Sequence, residues 1–172
     1  MDTQVPERHL GKPVLEGFTD LNMLGDVDSS RSISGYVMTY SRGGVSWQSR
    51  LWKSIALSTT KVEYMAAVEA GKELIWMRNF LTELGMKQKE FLLHCDNQSS
   101  IHLAKNTTYH SWTKHIQRRY HWLRERVEDG EFALVKIHTD DNGSDMLTKN
   151  LPTDRLRVNR QNTGLTDFLP QV

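Results

Sequence analysis

The chain of 172 residues, 38% of them hydrophobic, is long enough to bury one sizeable core and too short for two comfortable ones, so a single domain is expected. Its 22 Lys and Arg against 21 Asp and Glu leave a formal net charge of +1, which excludes a globally basic polyanion binder and leaves only locally segregated charge for nucleic acid. The single cysteine, Cys95, excludes an internal disulfide framework and fits a reducing compartment, and no apolar run approaches the length of a membrane span, so a cytoplasmic or nuclear protein with no membrane contact is expected.

The first thirteen residues, with Pro6 and Pro13, read as a poorly ordered leader. Val14 to Phe18 reads as a strand ending at Thr19-Asp20, and Gly25 with the Asp26 to Arg31 cluster as a polar turn. Ser34 to Tyr40 reads as a second strand, Gly43-Gly44 as a turn and Val45 to Gln48 as a third strand, which makes an antiparallel meander. A long helical pattern then runs from Leu57 to Leu84, with Ser58, Thr59 or Thr60 as its cap and Gly85 as its stop. At spacings of three and four, Thr60, Glu63, Ala67, Ala70, Leu74, Met77, Leu81 and Leu84 form one face, so Glu63 is a carboxylate on an inner stripe. The small residues Ala67 and Ala70 predict that this helix lies close against a sheet.

Phe91 to Cys95 is a short apolar run of the kind that a strand buried on both faces shows. It ends at Asp96. A short helix from Gln98 to Lys105, a helix from Trp112 to Glu128, a strand from Phe132 to Ile137 and a short helix opened by Asp145 follow, and the tail from 153 to 172 is weakly patterned. This order predicts an α/β layer architecture with a mixed sheet.

Asp20, Glu63, Asp96 and Asp145 sit at element ends that this order can bring together, at the end of the sheet where α/β proteins hold ligands. Four converging carboxylates repel, and divalent cations such as Mg²⁺ or Mn²⁺ relieve that repulsion through hard oxygen ligands. Plainer roles exist for three of them, as a turn acid (Asp20), an N-cap (Asp96) and a first-turn acid (Asp145). Glu63 is harder to assign so, because the rest of its stripe is apolar or small. Between Lys105 and Arg126, Lys105, Lys114, Arg118, Arg119, Arg124 and Arg126 face a single acid, Glu125, with histidines and aromatics interleaved. Such a segment suits either duplex phosphates or a solvated helix face over core aromatics.

Ordered motifs then carry a resemblance: Gly17-Phe18-Thr19-Asp20, Arg31-Ser32-Ile33-Ser34-Gly35-Tyr36, Val45-Ser46-Trp47-Gln48-Ser49 and Val62-Glu63-Tyr64-Met65-Ala66-Ala67. They continue with Cys95-Asp96-Asn97-Gln98-Ser99, Thr113-Lys114-His115-Ile116 and Ser144-Asp145-Met146-Leu147-Thr148-Lys149. Together these resemble the ribonuclease H domain that closes the polyprotein of copia-type LTR retrotransposons, over about residues 15 to 152. The resemblance implies an RNase H-like fold, with a mixed five-stranded sheet flanked by helices, that cuts the RNA strand of an RNA–DNA hybrid. It implies two Mg²⁺ or Mn²⁺ ions held by Asp20, Glu63, Asp96 and Asp145, and a reverse transcriptase domain in the parent polyprotein. Gln98, Lys114, His115, Arg118 and Arg119 are the expected nucleic-acid contacts, and His138 is a surface histidine at a strand end or, by loose analogy with a histidine of related enzymes, a proton-transfer group.

Lys61, Gln117, Trp112 and Asn22 depart from residues usual in that family. None of them is among the four acids. The departures define an alternative, a non-catalytic descendant that binds nucleic acid or a protein partner.

Overall fold

A computed structural model describes residues 14–26, 31–52, 59–105 and 114–165. The expected leader, the Ser58 cap and the Trp112 start of a helix lie outside these residues. Strands β1 (Leu15–Asp26), β2 (Arg31–Tyr40) and β3 (Gly43–Leu51) precede helix α1 (Thr59–Glu83). Strand β4 (Leu92–Cys95), helices α2 (Gln98–Lys105) and α3 (Lys114–Glu128) and strand β5 (Ala133–Lys136) follow. Two 3-10 turns, Thr139–Asp141 and Gly143–Leu147, lead to helix α4 (Thr153–Asn162).

The five strands form one sheet in the order β3-β2-β1-β4-β5. β1 pairs antiparallel with β2 and parallel with β4, so the meander and the crossover half of the chain meet on one central strand. The sheet is therefore mixed, as the element order predicts. α1 packs its small and apolar stripe on the sheet: Ala67, Ala70, Leu74, Met77 and Leu81 are all buried, whereas Leu84, at the helix end, is 55% exposed. Tyr64 binds α1 to α3 by donating its hydroxyl to the Tyr120 carbonyl at 2.8 Å, and Tyr120 donates in turn to the Leu103 carbonyl of α2 at 3.1 Å. Gly85 and Gly130, with φ of 78° and 70°, end α1 and α3 in the left-handed conformation that a side chain disfavours. Beyond them Met86 N–H returns to the Leu81 carbonyl and Glu131 N–H to the Arg126 carbonyl, which closes both helices.

Three expectations are corrected. β1 does not stop at Asp20; it runs on to Asp26, because pairing with β2 continues through Asp20↔Gly35, Leu21↔Ser34 and Asn22↔Ile33. The short helix expected to open at Asp145 is a 3-10 helix that opens two residues earlier, at Gly143, with Asp145 in its first turn. Residues 153–162 of the weakly patterned tail form α4, which packs beside that turn with Asn159 and Thr163 buried. Among the described residues no helix is long and apolar enough to cross a membrane.

Candidate metal centre

The parallel register of β1 and β4 ends at Thr19↔Cys95. The next residue of each chain segment is an aspartate, so Asp20 and Asp96 leave the last pair side by side. Both sit at the carboxyl end of the parallel pair, where no further β4 backbone covers β1. Asp145 comes to the same place on the second 3-10 turn, and that turn is fastened to the meander at several points. Asn142 donates its side-chain amide to the Thr19 carbonyl at 3.1 Å and accepts from Ser144 N–H and Oγ at 3.3 and 2.7 Å. Asn22 donates to the Thr148 carbonyl at 2.9 Å and Ser49 Oγ to the Leu147 carbonyl at 2.7 Å. Gly35, opposite Asp20 on β2, leaves the room this turn occupies: a Cβ there would lie 2.8 Å from Leu147 Cβ and 2.9 Å from Thr148 Cγ2.

One carboxylate oxygen from each of Asp20, Asp96 and Asp145 lies within 4.8 Å of the others, a set that could hold a metal ion. Asp20 and Asp145 are buried, and Asp96 is half-buried. Glu63 stands outside that group of three. It faces the group from the second turn of α1 and accepts a hydrogen bond from the Asn97 side-chain amide, whose oxygen caps α2 through Ser100 N–H at 2.8 Å.

The acids are held against their preferences. Burial first, then Asp96 and Asp20, push the Glu63 carboxyl up to about 7, with Lys149 pulling the other way. Burial and then Asp20 push Asp145 up to about 6. The Asp96 carboxyl is also raised, chiefly by burial and then by Asp20, against the lowering influence of Lys149, of the Thr139 hydroxyl at 3.3 Å and of Lys136. A hard divalent cation is the ligand that relieves all of these at once, so the donor set fits such an ion.

Several residues at the centre had no role assigned from the sequence. Lys149 Nζ lies 3.2 Å from Asp20 Oδ1 and 3.0 Å from Asp145 Oδ1, and the Thr148 hydroxyl donates to Asp20 Oδ2. Arg155 of α4 lies 2.8 Å from Asp140 and 4.0 Å from Asp145. The spacing of four between Asp145 and Lys149 was a usable signal, since residues so spaced share a face in a helical turn.

The expected nucleic-acid residues are spread around this centre. Gln98 is exposed at the first residue of α2, next to the acid cluster in sequence, and Arg118 and Arg119 are exposed on α3. Lys114 and His115 open α3, and their side chains are outside the described residues. His138 is exposed and caps the first 3-10 turn, accepting from Asp140 N–H at 3.2 Å.

The mixed sheet with its flanking helices is the fold of RNase H domains. LC11-RNase H1, solved in complex with an RNA/DNA hybrid, superposes with a TM-score of 0.56 at 15% identity over 78% of this chain and 93% of that one. The homologues of the chain are retrovirus-related Pol polyproteins from plant transposons. It is 50% identical over 153 residues, 89% of its length, to that of transposon TNT 1-94 of Nicotiana tabacum. It is 31% identical over 157 residues to that of transposon RE1 of Arabidopsis thaliana. The chain spans only 12% and 11% of these two polyproteins. No family model matches it.

Proposed function

We propose that the chain is a metal-dependent endoribonuclease that cuts the RNA strand of RNA–DNA hybrids, as part of a retrotransposon Pol polyprotein. The observation that carries this reading is the meeting of Asp20, Asp96 and Asp145 at the carboxyl end of the parallel strand pair in an RNase H fold. Asp20, Asp96, Asp145 and, beside them, Glu63 are the residues that would hold two Mg²⁺ or Mn²⁺ ions. Bound there, such ions supply an activated water and stabilise the leaving oxygen in an in-line displacement at phosphorus.

The protein's own part is positioning. The paired ends of β1 and β4 fix two of the acids, and the Asn142 and Asn22 amides fix the turn that brings the third. Asn97 orients Glu63. Gln98, Lys114, His115, Arg118 and Arg119 are proposed to meet the hybrid, reading backbone shape and the 2′-hydroxyl rather than base edges, so that cutting is largely independent of sequence. His138, exposed two residues past β5, is proposed as an assisting proton-transfer group. A reverse transcriptase domain of the parent polyprotein is the proposed neighbour in the chain.

Incubating a labelled hybrid with the protein in Mg²⁺ and in Mn²⁺, wild type against Asp96→Asn, tests this. Metal-dependent cutting of the RNA strand that the substitution abolishes is the expected result. A folded wild-type protein that cuts in neither metal overturns the catalytic reading and leaves a binding module.

A further inference from the structure

The acid cluster already contains a cation. The Lys149 ammonium bridges Asp20 and Asp145 at 3.2 and 3.0 Å, while its side chain remains 29% exposed against 2% and 1% for the two aspartates. Its head is therefore seated between buried oxygens while part of its side chain stays open to solvent. The backbone fixes only its root, through Lys149 N–H to the Asp145 carbonyl at 2.9 Å. A compact ammonium on a flexible four-carbon stem can leave such a seat without moving the fold. Arg155, 4.0 Å from Asp145 and tied to Asp140, is the next nearest cation to this carboxylate among the described residues.

Charge arithmetic sets what that ammonium does. Asp20, Glu63, Asp96 and Asp145, when ionised, carry four negative charges, and one ammonium leaves three uncompensated. A hard cation held by Asp20 and Asp145 would sit against the same two carboxylates that Lys149 touches, and two cations so close repel. Occupancy by one therefore disfavours the other. Resting on the metal-site reading above, we propose that Lys149 is a built-in counter-ion that holds Asp20 and Asp145 together in the metal-free protein and is displaced when a divalent cation binds. The fold thus forms its acid cluster before any ion arrives, at the cost of a weaker first ion.

Mn²⁺ alone, titrated into the full chain and followed by the paramagnetic resonance of free Mn²⁺, tests the exchange alongside metal-free thermal unfolding. Lys149→Met should bind Mn²⁺ about tenfold more tightly than wild type. It should also unfold at a lower temperature without metal and recover in saturating Mn²⁺. Lys149→Gln, which keeps a polar head, should move both readouts in the same directions. Lys136→Met removes a cation that touches Asp96 only at its backbone oxygen, and should change the affinity less than about twofold. In wild type, the Lys149 ammonium resonance should shift when Mg²⁺ saturates the site. Unchanged Mn²⁺ affinity in both Lys149 variants, an equal gain in Lys136→Met, or an ammonium resonance that Mg²⁺ leaves in place overturns the exchange. A wild type and variants that all fail to bind Mn²⁺ overturn instead the metal reading beneath it.

Discussion

Near its start α1 carries Glu63 among like charges, and near its end it offers Arg78 to another glutamate. Glu131, in the turn between α3 and β5, receives Arg126 and, at 3.1 Å, Arg78. The Arg126 hydrogen bond first, against a smaller effect of burial, holds the Glu131 carboxyl below its usual range. Glu63 is pushed the opposite way by burial, Asp96 and Asp20. Both are glutamates, one on α1 near its start and the other in a turn that meets the same helix near its end through Arg78. What separates them is the deeper burial of Glu63 and whether the neighbouring elements bring arginine or aspartate. One end of the helix meets charges that attract, and the other meets charges that repel.

Three experiments break or sharpen that contrast. The largest effect is expected for Glu63→Gln, which should lower hybrid cleavage by more than the roughly 10–100-fold that loss of an outer partner of a metal ligand costs. The same substitution should stabilise the metal-free protein. A carboxyl raised from 4.5 to about 7 in the folded state binds its proton more tightly there than in the unfolded chain. Its contribution is therefore fully favourable below about pH 4.5 and is lost as pH rises through about 7. At its part-exposed position, solvent screening leaves about 1–2 kcal/mol of that loss. Chemical unfolding at pH 5 and pH 8 without metal checks this: wild type should lose stability on the alkaline side, and Glu63→Gln should lose less.

Gly35→Ala comes next. Its new methyl would meet Leu147 and Thr148, and overpacking of this kind costs about 1–3 kcal/mol. Because the displaced turn carries Asp145, cleavage should fall along with the unfolding midpoint. Loss of stability with undiminished cleavage would show that the turn's position does not govern the acids.

Glu131→Gln should have the smallest effect. It removes a pair of partly exposed ion pairs, costs under about 1 kcal/mol, and leaves cleavage as in wild type. Its sign is opposite to that of Glu63→Gln, so two unfolding curves at neutral pH measure the contrast directly.

The sheet was legible because each strand carries its own signal: β-branched and aromatic residues in β2, and a nearly continuous apolar run in β4. The inner stripe of α1 was legible for a similar reason, since Ala67, Ala70, Leu74, Met77 and Leu81 keep one period and are all buried. The extension of β1 past Asp20 was not, because its polar residues and Gly25 look like a turn until β2 is there to pair with them. Helix α4 was missed for a different reason. It buries Asn159 and leaves Leu156 and Val158 37% and 45% exposed, so it shows no apolar face to find. The four acids were legible as candidates by their place in the element order. The cation between two of them showed only through its spacing of four from Asp145, which sets one contact and not the bridge to Asp20.

The bond from the Asn142 amide to the Thr19 carbonyl joins residues 123 positions apart. A ribosome delivers Asp20, Glu63 and Asp96 well before it delivers that asparagine, and the loop that must close between them is nearly the whole domain. Until it closes, Asp145 has no seat beside the other acids. On a chain still being synthesised, the acid cluster thus stays incomplete until the segment around Asn142 has emerged.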